Sequence, residues 1–318
     1  MSTAPDFPAA AYNYSGAQCT PREKTAQCAP QERTAPFAYE FGGFQVRLDS
    51  FPFHESEALA AFRTECRRAP ELRLRVRAVP ELRAPAGTAL KQVGETVLTD
   101  DAGRRVRLCL NEGKDGLLYR VTETQPGELL VELAAEAAPR LGSYLLLRWL
   151  DLPGFFLKRN AVFLHASFVR WRGKALLFTG PKQIGKSTQA ELWRRFRSAE
   201  VLNGDRALLR QLEGQWTACG SPFCGTSGIC VNAKAPLAAL VLLEQAPENR
   251  AERAGALDLM RAFLSGCSFD ASEEATRRVL DLAAALGGAV PVLRLRCRPD
   301  EAAVACLEEA LYREAAYA

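Results

Sequence analysis

The pattern of apolar and polar positions changes near residue 153 and divides the chain into two parts. In the first part, alternating segments predict strands at 44–48, 72–78, 97–99, 105–110, 116–123 and 128–133, and helical spacing predicts helices at 55–67 and 140–150. In the second part, apolar runs predict strands at 161–169, 175–179, 201–202, 207–210 paired with 216–219, 237–243 and 292–296, with helices after 187 and at 252–264, 272–286 and 301–315. We therefore expect a smaller α+β domain over 37–153, followed by an α/β domain with a mixed sheet over 154–318.

One turn in the second part carries the pattern G-x-x-x-x-G-K-S, from Gly180 to Ser187. This is the Walker A or P-loop pattern, in which four residues between the glycines let backbone N–H groups surround a phosphate. Lys186 would bring a positive charge to the β- and γ-phosphates, and the hydroxyl of Ser187 would ligate Mg²⁺. The candidate nucleotide-contacting residues are Gly180, Pro181, Lys182, Gln183, Ile184, Gly185, Lys186, Ser187 and Thr188.

The segments on either side of this turn are those that a phosphate-binding loop needs. The apolar run at 175–179 predicts a buried strand, and the residues after Ser187 have the spacing of an amphipathic helix. The alternative is an ordinary tight turn between strand and helix, but a Lys-Ser pair at the end of such a turn has no structural purpose. The sequence therefore predicts a nucleotide-phosphate site at the N-terminus of a helix, whose dipole also attracts the anion.

Two further residues are candidates to complete the site. A P-loop needs a carboxylate that holds the metal at the end of another strand, and Asp205 has that position, although a residue in Asn-Gly-Asp is also a common turn former. His165 lies in an apolar strand, where a lone histidine is usually a core residue, but beside a phosphate site it would ligate a metal or contact the γ-phosphate. The candidate catalytic residues are therefore Lys186, Asp205 and His165, and the candidate Mg²⁺ ligands are Ser187 and Asp205.

A segment rich in hydrogen-bond donors, GSPFCGTSGIC at 220–230, is predicted to be a loop that lies over the nucleotide or binds the acceptor. Cys219, Cys224 and Cys230 have spacings of five and six, unlike the C-x₂-C of zinc sites, and their segment contains no histidine. We expect free thiols here.

The first 36 residues have the composition of a disordered tail. They contain two copies of C-x-P-x-E-[KR]-T-A, which begin at Cys19 and Cys28. A partner could recognise this repeat, or its thiols could bind metal or form a cross-link. A duplicated linker without selected function is the simpler interpretation and the one we favour.

Composition restricts the classes of function. The chain has 318 residues, 48% of them hydrophobic and 25% charged, as in soluble globular proteins. A net charge of +4 with both signs interspersed does not indicate nucleic-acid binding. Charged residues interrupt the most apolar region, 144–169, so we expect no membrane span. The N-terminus lacks the features of a signal peptide, and we expect a cytoplasmic protein whose ten cysteines stay reduced.

The region from about 161 to 315 resembles the HPr kinase/phosphorylase family and its relative, phosphoenolpyruvate carboxykinase. Three features carry the resemblance: a strand histidine about fifteen residues before the P-loop (His165), the loop GPKQIGKST, and an acidic motif followed by arginine about twenty residues later, Asn203-Gly-Asp-Arg206. The wider pattern HAS…LLFTGPxxxGKST…LNGDR…GSPFCGTS also resembles HPr-kinase-like proteins of bacteria. The resemblance implies that Lys186 and Ser187 handle phosphates and metal, that Asp205 holds the metal, and that His165 lies beside both.

The chain departs from this family at one position that affects mechanism. The kinases usually carry two adjacent aspartates, the first of which transfers the proton, and here Gly204 stands in the first place. The signature of true HPr kinases near the C-terminus is also not evident, so HPr is not the expected substrate. We expect an ATP- and Mg²⁺-dependent phosphotransferase acting on a hydroxyl of a peptide, protein or small molecule. A non-catalytic nucleotide-binding regulator and a carboxykinase-like or phosphorolytic enzyme are the alternatives, and a homo-oligomer is compatible with the sequence.

Overall fold

Two mixed sheets of eight strands organise the fold. The computed structural model describes residues 37–49, 55–83, 95–99, 104–110, 117–135, 152–269 and 272–317, all within the compact unit Glu32–Ala318. The two sheets and their helices form an α+β fold. The repeat-bearing tail at 1–36 and the predicted helix at 140–150 lie outside the described residues.

The first sheet is formed by the alternating segments of the N-terminal half, all of whose predicted strands are confirmed. Its strands are β1 Phe37–Phe41, β2 Phe44–Leu48, β3 Arg63–Thr64, β4 Leu72–Val79, β5 Glu95–Thr99, β6 Arg105–Leu110, β7 Leu117–Gln125 and β8 Glu128–Ala134. Their order is β3-β1-β2-β4-β8-β7-β6-β5. Strand β4 runs parallel to β2 and β8, and the other pairs are antiparallel.

The prediction of a helix at 55–67 is wrong beyond residue 60. Helix α1 spans only Glu57–Ala60 and starts at Ser56, whose hydroxyl accepts a hydrogen bond from the N–H of Leu59 at 3.2 Å. The chain then leaves the helix because Phe62 is fully buried and its carbonyl accepts a hydrogen bond from the N–H of Glu40. Pairing of β3 with β1 therefore outweighs the local helical spacing.

The second sheet contains the strands of the C-terminal half. They are β9 Ala161–Trp171, β10 Lys174–Thr179, β11 Glu200–Asn203, β12 Arg206–Leu212, β13 Gln215–Cys219, β14 Lys234–Gln245, β15 Arg250–Arg253 and β16 Val292–Cys297. Strands β10, β14 and β16 are mutually parallel, and β9 runs antiparallel to β10, β11 and β12. The predicted pairing of 207–210 with 216–219 is confirmed, with Leu209 opposite Ala218.

The helices of this half pack on both faces of the sheet. They are α2 Leu152–Leu157, which the sequence did not indicate, α3 Lys186–Arg197, α4 Ala256–Gly266, α5 Glu273–Gly287 and α6 Glu301–Tyr317. Successive residues of β10 face opposite sides of the sheet. Phe178 lies in the hydrophobic cluster that includes α3 and α6, and Leu177 lies in the cluster that includes α4 and α5. The helix predicted at 252–264 begins later than expected, because residues 250–253 pair with β16 as an edge strand.

One hydrophobic cluster contains residues from both halves, including Phe44 of β2, Phe156 of α2 and Phe163 of β9. The rings of Phe44 and Phe156 meet edge to face, with centroids 5.2 Å apart. The division into domains at residue 153 stays a prediction. No helix in the described ranges is long and apolar enough to cross a membrane.

Candidate phosphate-binding site

The G-x-x-x-x-G-K-S segment forms a loop between the carboxyl end of β10 and the start of α3. Its backbone has positive φ at Gly180 (147°), Gln183 (67°) and Gly185 (112°). A Cβ placed on Gly180 would lie 3.3 Å from the carbonyl oxygen of Leu243, so the loop also packs closely against the end of β14. The side-chain amide of Gln245 donates to the carbonyl of Gln183 at 3.4 Å. The loop is thus held at the carboxyl ends of two parallel strands, where α/β sheets usually bind ligands.

The amino group of Lys186 lies on the inner side of this loop. The residue is only 7% exposed, and Nζ donates to the carbonyls of Gly180 (3.0 Å) and Pro181 (2.9 Å). Burial lowers the pKa of Lys186, and the nearby charge of Asp205 acts in the opposite direction. The loop therefore encloses a desolvated cation that its own carbonyls satisfy.

The first turn of α3 presents its N–H groups and two hydroxyls beside this cation. No side chain caps the helix at Gly185, and Ser187 and Thr188 are exposed. Because the first N–H groups of a helix have no intrahelical acceptors, they are suited to bind an anion. Lys182 and Gln183 are exposed at the tip of the loop.

Strand β9 brings His165 to Asp205, forty residues apart in sequence. Nε2 of His165 lies 3.2 Å from Oδ1 of Asp205, and the two side chains are 30% and 31% exposed. His165 is opposite Arg206 in the pairing of β9 with β12, and the N–H of Ala166 donates to the carbonyl of Asp205 at 2.9 Å. The other edge of β9 pairs with β10, where the hydroxyl of Thr179 donates to the carbonyl of His165. One strand therefore positions both the loop and the carboxylate.

The charges around Asp205 favour its ionised form. Burial acts to raise its pKa, but the hydrogen bond and charge of His165 and the charges of Arg206 and Lys186 together lower the pKa below its usual value. Nε of Arg206 lies 3.7 Å from Oδ2, and Arg206 also donates to the hydroxyl of Ser268. Asp205 is thus a carboxylate with a partly exposed face, suited to a divalent cation.

Asn203 organises the turn that carries Asp205, a role that the sequence analysis missed. The residue is fully buried. Its Oδ1 accepts from the N–H groups of Asp205 (2.9 Å) and Arg206 (2.8 Å), and its Nδ2 donates to the carbonyl of Ser221 (2.8 Å). The available signal was the sequence Asn-Gly-Asp itself, since asparagine accepts hydrogen bonds from the backbone two residues on.

We expect Asn203→Ala to lower the free energy of unfolding by roughly 2–4 kcal/mol, because buried donors and acceptors would lose their partners. Denaturant unfolding measures the difference. Asn232→Ala is the matched control, since Asn232 is exposed in the same region, and it should change the stability by less than about 0.5 kcal/mol. Equal effects of the two substitutions would contradict the role of Asn203.

The segment 220–231 packs against this turn. The N–H of Gly204 donates to the carbonyl of Ile229 at 3.1 Å, and a Cβ placed on Gly204 would lie 1.9 Å from Oγ of Ser227. A Cβ placed on Gly225 would lie 2.8 Å from Cβ of Asp205. The space beside Gly204 is therefore occupied by this segment.

Within the described residues, no three His, Cys, Asp or Glu side chains group as a metal site. Cys219, Cys224 and Cys230 are not disulfide-bonded, and burial raises the pKa of Cys219 to about 11. The oxygen donors of the predicted Mg²⁺ site, Ser187 and Asp205, belong to the start of α3 and the turn before β12. The pairing of these two residues as ligands stays a prediction.

No protein-family profile and no curated protein matches the chain. Among solved structures, the chain is similar to the HPr(Ser) kinase/phosphatase from Coxiella burnetii, with 16% sequence identity and a TM-score of 0.28. The match covers 49% of this chain and 90% of that one. A structural likeness of this size marks a distant neighbour and carries no argument about function.

Proposed function

We propose that this protein is a kinase-like phosphotransferase that binds ATP with Mg²⁺ and transfers the γ-phosphoryl group to a hydroxyl of a peptide, protein or small molecule. The observation that carries the proposal is the buried ammonium of Lys186 inside a Gly-rich loop at a helix N-terminus, beside the partly exposed carboxylate of Asp205. Phosphoryl transfer depends mainly on positioning and charge stabilisation, and these groups supply both.

Each group has a distinct role in this proposal. Lys186 exchanges its two carbonyl acceptors for phosphate oxygens and neutralises charge that develops during transfer. The N–H groups at the start of α3 hold the β-phosphate, as helix N-termini do with anions. His165 holds Asp205 in place through Nε2.

The oxygen donors near the loop fit a magnesium ion. Ser187 offers an exposed hydroxyl, and Asp205 an ionised carboxylate, the hard ligands that Mg²⁺ prefers in nucleotide sites. When bound there, Mg²⁺ would neutralise part of the negative charge of the phosphates.

We expect Ser187→Ala and Asp205→Asn each to weaken the Mg²⁺-dependent part of ATP binding by about tenfold, or about 1.4 kcal/mol. Calorimetric titration with ATP, with and without Mg²⁺, measures this part directly. Asp281→Asn, which removes an exposed carboxylate on α5, should leave it unchanged. If Mg²⁺ strengthens binding equally in all four proteins, neither residue is a ligand.

A second candidate function is a nucleotide sensor without catalysis. The observation that favours it is the position of Ser227, whose Oγ fills the space beside Gly204 that the proton-transferring aspartate of the kinases would need. Loss of a base weakens phosphoryl transfer without abolishing nucleotide binding. Saturable binding of ATP with no ADP release, in the presence of Mg²⁺ and a panel of hydroxyl acceptors, would decide for the sensor. ADP release that requires Lys186 would decide for the kinase.

A further inference from the structure

Two cysteines flank the segment that packs against the Gly204 turn. Cys224 and Cys230 are both half-buried, and the five residues between them are exposed. A short 3₁₀ turn at Gly225–Ser227 folds this segment back on itself, with Gly225 and Gly228 in the left-handed region. Both thiols are free.

Both cysteines approach the same two residues, Asn203 and Gly204. Cys230 forms an antiparallel bridge with Asn203, and the carbonyl oxygen of Cys224 lies 3.5 Å from a Cβ placed on Gly204. The hydroxyl of Ser227 donates to that same carbonyl at 2.7 Å and keeps the segment closed. Both ends of the segment therefore lie beside the same turn. The thiol of Cys230 donates weakly to the carbonyl of Ala58 at 3.9 Å, and it lies near enough to Cys224 for that residue to affect its pKa.

We propose that Cys224 and Cys230 form a reversible disulfide by exchange with a low-molecular-weight disulfide, and that this bond holds the segment closed against the Gly204–Asp205 turn. The proposal does not depend on nucleotide binding, since it concerns only the thiols and the backbone that they flank. A closed 224–230 segment would make the exposure of Asp205 sensitive to the redox state.

The disulfide forms in two exchange steps. The thiolate of Cys224 attacks one sulfur of the external disulfide, whose S–S bond breaks and releases one thiol. Cys230 then loses its proton and attacks the Cys224 sulfur of the mixed disulfide, which releases the second thiol. Two electrons and two protons pass from the cysteines to the external disulfide. Burial, with the neighbouring Cys224, raises the pKa of Cys230 to about 11, so Cys230 is a poor first nucleophile and acts in the second step.

The test is equilibration of the full chain in reduced and oxidised glutathione, followed by alkylation of free thiols and peptide mass mapping. We expect the peptide that carries both cysteines to lose two hydrogens in mass and to resist alkylation, reversibly on addition of dithiothreitol. Cys224→Ser and Cys230→Ser should each prevent this change, and Cys66→Ser, which removes an exposed thiol far along the chain, should not. Full alkylation of both cysteines under oxidising conditions, or a bond to any other cysteine, would overturn the proposal.

Backbone hydrogen exchange tests whether the bond holds the segment closed. The N–H of Gly204 is bonded to Ile229 inside the segment, so it exchanges when the segment opens. We expect its exchange to slow at least about tenfold in the oxidised protein, and to stay unchanged in oxidised Cys224→Ser. Equal exchange in the oxidised and reduced wild type would contradict closure.

Discussion

Lys186→Ala should lower ATP turnover by about 10²–10³-fold, the usual effect of removing one preorganised charge donor from a transition state. The side chain is buried in the loop, where its ammonium donates to the carbonyls of Gly180 and Pro181. ATP binding should also weaken, because the same ammonium would contact the phosphates of bound ATP before the transfer begins. Coupled detection of ADP release gives the rate, and calorimetry gives the affinity.

Lys182→Ala is the matched control for this experiment. Lys182 belongs to the same loop and carries the same charge, but its side chain is exposed at the tip. We expect a change of less than about threefold, since exposed charges interact weakly. Equal rates in the wild type and Lys186→Ala would remove the kinase proposal, and equal losses in both variants would indicate a general effect of loop charge.

Gly204→Ala should lower the free energy of unfolding by about 1–3 kcal/mol through overpacking. The added Cβ would lie 1.9 Å from Oγ and 2.6 Å from Cβ of Ser227, so the 220–231 segment must move. Ser227→Gly removes both atoms and by itself should cost about 0.5–1.5 kcal/mol, because its hydroxyl donates to the carbonyl of Cys224 and accepts from the N–H of Ile229. The double variant should be more stable, by about 1 kcal/mol or more, than the sum of the two single effects on the free energy of unfolding predicts.

Gly288→Ala provides the control for the glycine substitution. Gly288 has φ −77°, and an added Cβ would meet its nearest neighbour at an ordinary 3.7 Å. We expect no loss of stability, since replacing such a glycine mainly restricts the unfolded chain. Additive effects of Gly204→Ala and Ser227→Gly in denaturant unfolding would show that Ser227 does not occupy the space beside Gly204.

Much of the second sheet could be predicted from the sequence because its strands are continuous apolar runs. The run at 237–243 lies within β14, which pairs with parallel strands on both sides and is buried on both faces. The prediction of a helix at 55–67 was wrong for the opposite reason. Its helical spacing is local, whereas the burial of Phe62 and the pairing of β3 with β1 depend on strands elsewhere in the chain.

The site shows the same division between local and long-range information. The shape of the loop and the position of Lys186 follow from a contiguous motif whose spacing has a physical reason. The contact of His165 with Asp205 depends on the register of β9 with β12, which no local pattern specifies. The packing of Ser227 beside Gly204 also joins distant segments, and a sequence shows only that a side chain is missing at Gly204.

Equilibrium titration of the wild-type chain with ATP tests the central claim most directly. A triphosphate enclosed by the 180–188 loop should bind saturably at one site per chain, more tightly with Mg²⁺ than without, and binding should be lost in Lys186→Ala but kept in Lys182→Ala. The absence of saturable binding at millimolar ATP with Mg²⁺, or undiminished binding in Lys186→Ala, would contradict the account.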